Sequence, residues 1–234
     1  MNEFTRINEW FVPNFGPVKF RAFVGLLFLP YTGMCISFTI IGSMISPTIY
    51  WDRVVAIFTI YFLALGISAH AADNLGSKKI KPWGNYFSKL ELKIMVIVGL
   101  SIAYIIGIYY VITWVNLLLF IGIIEGFFLF AYNFELFRGV FHNNFWFALS
   151  WGSLPLLAGY IMQTNTISEL PLILALFTFL ASFLEIRYSR EYKEIKRKNC
   201  DNKKSRKLES HLKLLSASTI SICIILVIYR IFFL

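Results

Sequence analysis

The chain has 234 residues, 58% of them hydrophobic and only 15% charged, against about 25% charged in a soluble domain. That balance excludes an ordinary water-soluble domain and specifies an integral membrane protein with one membrane domain. The net charge of +9 would point to nucleic acid in a soluble protein, but no basic face is separable from the loops here, and Lys and Arg gather in cytoplasmic loops of membrane proteins for their own reason.

Met1–Phe20 reads as an interfacial segment rather than a span. Phe4, Ile7 and Phe11 share one helical face with Trp10 beside them, which predicts a short helix lying in the interface until Pro13, Gly16 and Pro17 break it. With Glu3, Arg6 and Glu9 in it and no apolar core, the segment is not expected to be a cleavable signal, so insertion falls to the first span. Residues 21–234 then form a single transmembrane domain. Ala22–Trp51 contains no Asp, Glu, Lys or Arg, and a span needs about 20 residues, so the first helix is placed within 22–45. Pro30 with Gly33 predicts a kink, and Ser46-Pro47 a stop. Val54–Ala72 is the second helix, which delivers Asp73 to the far edge.

Ile94–Tyr132 has 39 residues and one charge, Glu125. As one helix it would reach about 58 Å, roughly twice the hydrocarbon core, so it predicts two helices with a tight turn near Thr113–Asn116. The fifth helix is expected over Phe145–Met162, the sixth over Leu170–Glu185 and the seventh over Leu214–Phe233. Glu185–Lys198 extends the sixth, with i,i+4 pairs Arg187/Glu191 and Arg190/Glu194 and an apolar stripe Leu184, Tyr188, Tyr192, Ile195. Residues 187–213 make a basic cytoplasmic loop with a polar turn over Asn199–Lys207. The cysteines, Cys35, Cys200 and Cys223, have no metal spacing.

With seven helices, every Lys and Arg except Arg53 and Arg230 falls on the side of the N-terminus. The positive-inside rule then predicts a cytoplasmic N-terminus and an external C-terminus. Three inward segments come together on that count: His70-x-x-Asp73-Asn74 with Gly76, Lys78, Lys79 and Lys81; then Tyr132–Arg138; then the basic segment. Asp73 and Asn74 offer oxygen to Mg²⁺, while Arg and Lys neutralise phosphate. With an apolar cavity between helices, such parts suit an amphiphilic diphosphate lying half in the membrane. Each has a plainer reading. Asp73 caps a turn in D-N-L-G, His70 is structural, and the basic segment sets orientation and touches anionic lipid headgroups. Glu125 inside the membrane is a functional candidate or a partner for a polar neighbour.

The segment Y-N-F-E-L-F-R at Tyr132–Arg138, followed by F-H-N-N-F-W-F-A-L-S-W-G-S-L-P-L-L-A-G-Y, resembles the UbiA-type intramembrane prenyltransferase superfamily. Members carry a Y-S-x-x-L-K-R-like segment after helix four and then a G-x-x-P-x-x-x-G pattern, here Gly152, Pro155 and Gly159. Their first Asp-rich motif ends helix two, where this chain has A-H-A-A-D-N-L-G-S. The resemblance covers roughly residues 15–190. It implies a UbiA-like all-α bundle and transfer of a prenyl group from an isoprenoid diphosphate to a membrane-associated acceptor. Asp73, Tyr132 and Arg138 would be catalytic, Asp73 and Asn74 would hold Mg²⁺, and Asn74, Lys78, Lys79 and Arg138 would hold the diphosphate; His70, Glu125, Glu135 and Glu191 are secondary candidates.

The chain departs from the family in four places. Ala69 and Ser77 stand where further ligands of the first motif belong. E-I-R-Y-S-R-E-Y-K-E replaces the second Asp-rich motif. Phe137 replaces the Lys of the third motif, and seven helices are counted where the family has nine. These departures motivate a second expectation, a non-catalytic UbiA-like structural or lipid-binding subunit of a larger membrane complex.

Overall fold

A backbone in hydrocarbon must satisfy its own N–H and C=O groups, so the charge-free runs fold as helices. The protein is described by a computed structural model over residues 6–77, 81, 83, 85–198 and 203–233. Among these residues the helices are α1 (Val18–Met44), α2 (Trp51–Gly76), α3 (Lys89–Thr113), α4 (Leu118–Asn133), α5 (Asn144–Thr164), α6 (Glu169–Arg197) and α7 (Lys203–Phe232). All except α4 are long and apolar enough to cross a membrane; α4 has 16 residues, about 24 Å at 1.5 Å per residue. The chain is thus an all-α, multi-pass membrane bundle with no strand among the described residues.

The bundle is built on α1 and α5. A Cβ on Gly159 would overlap the Thr39 carbonyl oxygen, and one on Gly42 would overlap the Leu156 carbonyl oxygen. Bare backbone therefore meets bare backbone, as small residues allow between membrane helices. The Ser43 hydroxyl adds a hydrogen bond to the Gly159 carbonyl at 3.1 Å. Gly152 meets the Thr178 carbonyl of α6 in the same way. Helices α3 and α7 lie outermost, with apolar faces turned to lipid.

Three expectations change. Residues 6–16 are turns rather than an interfacial helix, and they are drawn under the bundle. Buried Arg6 pairs with Glu9 at 3.3 Å, and Phe11 packs on Phe28 and Trp83, so the apolar spacing there serves tertiary contacts; Phe4 lies outside the described residues. The kink in α1 falls at Phe28 (φ 50°), two residues before Pro30, which opens the second half of the helix. The expected extension of the sixth helix holds, since α6 runs to Arg197, but α7 begins at Lys203 rather than Leu214, so helix takes up part of the expected polar turn over Asn199–Lys207; Cys200 lies outside the described residues.

The two exceptional basic residues have local work at the opposite end. Arg53 donates to the carbonyls of Met162 and Gln163 (3.3 and 3.2 Å), and Arg230 donates to those of Ser46 and Pro47 (2.8 and 3.2 Å). Each cation thus closes a carbonyl-rich helix end. Cysteine-accessibility labelling should reach Thr48 and Thr166 from one side of the membrane and Gly139 from the other. Labelling Thr166 and Gly139 from one side would break the helix order.

Candidate functional site

Four local features bring the polar residues to one end of the bundle. In α2 the turns widen to π-helix over Phe62–Ala69, where the Ser68 hydroxyl reaches back five residues to the Leu63 carbonyl at 2.9 Å. Such bulges re-aim the turns that follow and often mark functional sites; here His70 and Asp73 follow. Helix α5 has its own π segment, Leu149–Ser153, which contains Trp151. Gly76 ends α2 against the Asn133 carbonyl at the end of α4, where a Cβ would not fit, so Asp73 comes to share a wall with Tyr132. At the break in α1 the Thr32 hydroxyl donates to the freed Leu27 carbonyl at 2.6 Å, and the Phe28 ring stands inward.

The result is a cavity of about 610 Å³. It is lined by the cations Arg6, Arg190, Lys193 and Arg197, by the carboxylates Asp73, Glu135 and Glu194, the last on α6 among those cations, and by an aromatic floor of Phe28, Tyr31, Phe147 and Trp151. Stacked Phe147 and Trp151 (5.3 Å) and His70, 5.2 Å from Trp151, close the apolar end. Arg190 donates to the Tyr132 hydroxyl at 3.1 Å, and the Tyr132 ring stacks on His142 at 4.4 Å. Lys193 lies over the Phe28 ring at 5.0 Å. Arg6 is neutralised by Glu9, and Glu194 by Lys198 at 2.8 Å. Among the described residues, Arg190, Lys193 and Arg197 have no carboxylate within ion-pair distance, which leaves a net positive wall.

The candidates from sequence divide accordingly. Asp73, Tyr132, Glu135 and His70 line the cavity; the His70 Nε2 lies 3.3 Å from the Thr32 hydroxyl. Arg138 does not line it: it sits exposed in the turn Phe137–Gly139 with φ 60°, and Arg190 stands beside Tyr132 instead. Asn74 is fully buried, and its Oδ1 accepts the Trp83 backbone N–H at 3.0 Å, so it fastens the α2–α3 connection. Lys78 and Lys79 lie outside the described residues. Glu191 pairs with Lys204 of α7, away from the cavity. Glu125 lies in mid-helix, accepting the Tyr61 hydroxyl at 3.2 Å.

Sequence reasoning missed Arg6, Arg190, Lys193 and Arg197 as site residues. The signal for three of them was present: Ile186, Ser189, Arg190, Lys193 and Arg197 follow helical spacing on one face, opposite the apolar stripe. Nothing local marks Arg6, whose place depends on the fold of the N-terminal turns.

Mg²⁺ is held by one or two carboxylates together with waters and substrate phosphate. Among the described residues the cavity offers the carboxylates of Asp73 and Glu135, while the Asn74 oxygen already accepts the Trp83 N–H and no group of three or more His, Cys, Asp and Glu stands together. Fixed cations are what the cavity offers an anion. Comparison with family models, with curated proteins and with solved structures gives no match for this chain.

Proposed function

We propose that the cavity binds an isoprenoid diphosphate and that the protein transfers its prenyl group to a membrane-associated acceptor, in a bundle of UbiA-like type with a cytoplasmic N-terminus and an external C-terminus. One observation carries the reading: a cationic helix face, Arg190, Lys193 and Arg197, stands over an aromatic floor in one cavity. A diphosphate suits the first and an unsaturated chain the second. In the proposed reaction the allylic C–O bond breaks and its electron pair leaves with the diphosphate. Arg190, Lys193 and Arg197 take up the charge that develops. The allylic cation left at C1 faces the rings of Tyr31, Phe147 and Trp151, whose π faces favour a cation. An acceptor nucleophile bonds to C1 and passes its proton to the Asp73 carboxylate, which shares the cavity wall with Tyr132.

A second reading is favoured by where two expected site residues stand. With the Asn74 oxygen on the Trp83 N–H and Arg138 exposed in the turn Phe137–Gly139, the same cavity suits a prenyl-lipid-binding subunit of a membrane complex that does not turn its ligand over.

The test is made on purified full-length protein in nanodiscs with C15 and C20 prenyl diphosphates. Binding should be at least about tenfold tighter for the diphosphate than for the monophosphate of the same chain, given the added charge facing three cations. With membrane acceptors present, diphosphate release marks the enzyme and tight binding without release marks the subunit. Failure to bind either prenyl phosphate would end both readings.

A further inference from the structure

A second cavity lies between α2, α3 and α4, sharing no lining residue with the polar one. Its volume is about 110 Å³, and its walls are apolar apart from Glu125, Tyr61 and Tyr104. Rim residues Ile108 and Ile123 are exposed on the bundle surface, so it opens toward hydrocarbon. Gly122 on α4 leaves the space: a Cβ there would meet nothing within 4 Å, whereas one on Gly126 would overlap the Tyr104 hydroxyl.

Its few polar atoms are almost all spent. The Tyr104 hydroxyl donates to the Gly122 carbonyl at 3.1 Å, and the Tyr61 hydroxyl donates to Glu125 Oε1 at 3.2 Å. Glu125 Oε2 is buried and has no partner among the described residues. A buried carboxyl oxygen without a partner is costly. Water is a poor answer, because a buried water needs roughly two to four polar partners, and an apolar cavity of about 150 Å³ stays dry and takes a benzene-sized guest. The cavity therefore calls for an apolar guest carrying one polar group.

We infer that this cavity is a binding site for a membrane-soluble alcohol, whose hydroxyl bonds Glu125 Oε2 while the first carbons of its chain fill the groove and the rest passes Ile108 and Ile123 into the hydrocarbon. A hydroxyl donates to a carboxylate and accepts from a carboxylic acid, so it satisfies that oxygen in either state. An ammonium would bring three donors to walls whose further acceptors are only the two tyrosine oxygens, and a charge that is costly to desolvate there. Depth narrows the class further. Glu125 lies about 12 Å along α4 from its inner end at Asn133, which suits a single-chain alcohol free to leave the interface rather than a headgroup-anchored phospholipid.

The test uses the full chain in nanodiscs and a twelve-carbon alcohol bearing a photoreactive diazirine in its chain, beside the matching alkane. The alcohol should label cavity residues of α2, α3 and α4 about fivefold more than the alkane, the scale of one net hydrogen bond. Gly122→Leu, which grows into open space, and Glu125→Leu should each reduce alcohol labelling to the alkane level. Glu125→Gln, still a donor and acceptor, should retain it. Equal labelling by alcohol and alkane, labelling unchanged in Gly122→Leu, or none above that of lipid-facing α7 would overturn the site and leave the groove to water or lipid tails. Gly122→Leu keeps the question decidable even where Glu125→Leu fails to fold.

Discussion

Gly159→Leu should remove most of the folded protein from membranes. The added Cβ would overlap the Thr39 carbonyl oxygen, and backbone cannot swing aside as a side-chain end does. Overpacking ordinarily costs about 1–3 kcal/mol. Here the penalty should be higher, because α1 and α5 must separate and the Ser43 to Gly159 bond goes with them. Against a stability of about 5–15 kcal/mol, that is enough to empty the native state or leave it marginal. Size-exclusion profiles of a fluorescent fusion in mild detergent are the measurement. Wild type and Gly122→Leu, the latter at an open position, should give a single symmetric peak, whereas Gly159→Leu should be lost to aggregate. A normal profile for Gly159→Leu would show that the crossing is looser than drawn.

That glycine also shows how much was legible in the sequence. Gly152, Pro155 and Gly159 were read as part of a family-like pattern, and each glycine proves to have a packing reason, one against α6 and one against α1. Such a pattern bears on the fold more directly than on catalysis. The helix count was legible because charge-free runs have few alternatives in a bilayer, and the turn after Thr113 followed from length alone. The N-terminal turns were not legible: Ile7 and Phe11 keep helical spacing, but Ile7 is buried in the main core and Phe11 packs on Phe28 and Trp83, far along the chain. The site was half legible. Asp73, Tyr132 and Glu135 stood out as charge or polarity at a helix end, and they do line one cavity. Arg138 drew attention by its motif position, yet the guanidinium that meets Tyr132 is that of Arg190, hidden within what read as an orientation signal. A basic run can set topology and also present one face to a cavity, and only the fold separates the two uses.

Asp73→Asn and Lys193→Met should both lower turnover while separating in their effect on binding. Lys193 lies on the cavity wall with its ammonium over Phe28, free of any carboxylate partner among the described residues. Its loss removes a cation from both the bound diphosphate and the departing one. If the protein is a transferase, Lys193→Met should weaken prenyl diphosphate binding and lower turnover by about 10²-fold, the scale of removing one preorganised electrostatic group. Lys193→Arg should recover much of both. Asp73 carries the opposite charge in the same cavity. Removing that charge relieves repulsion of the diphosphate, so Asp73→Asn should bind it as tightly as wild type or tighter. Its turnover should nevertheless fall by about 10²-fold, the size of a lost general base. Equilibrium binding of a C15 prenyl diphosphate and release of labelled diphosphate with acceptor measure the two quantities on the same nanodiscs. Tight binding by Asp73→Asn with unchanged release would remove the carboxylate from the chemistry. Opposite shifts in binding for the two variants, with no release even from wild type, would leave the cavity as the ligand site of a non-catalytic subunit. Binding indifferent to Lys193→Met would instead mean that the cationic face of α6 does not meet the diphosphate, and the proposed placement of the substrate would fail with it.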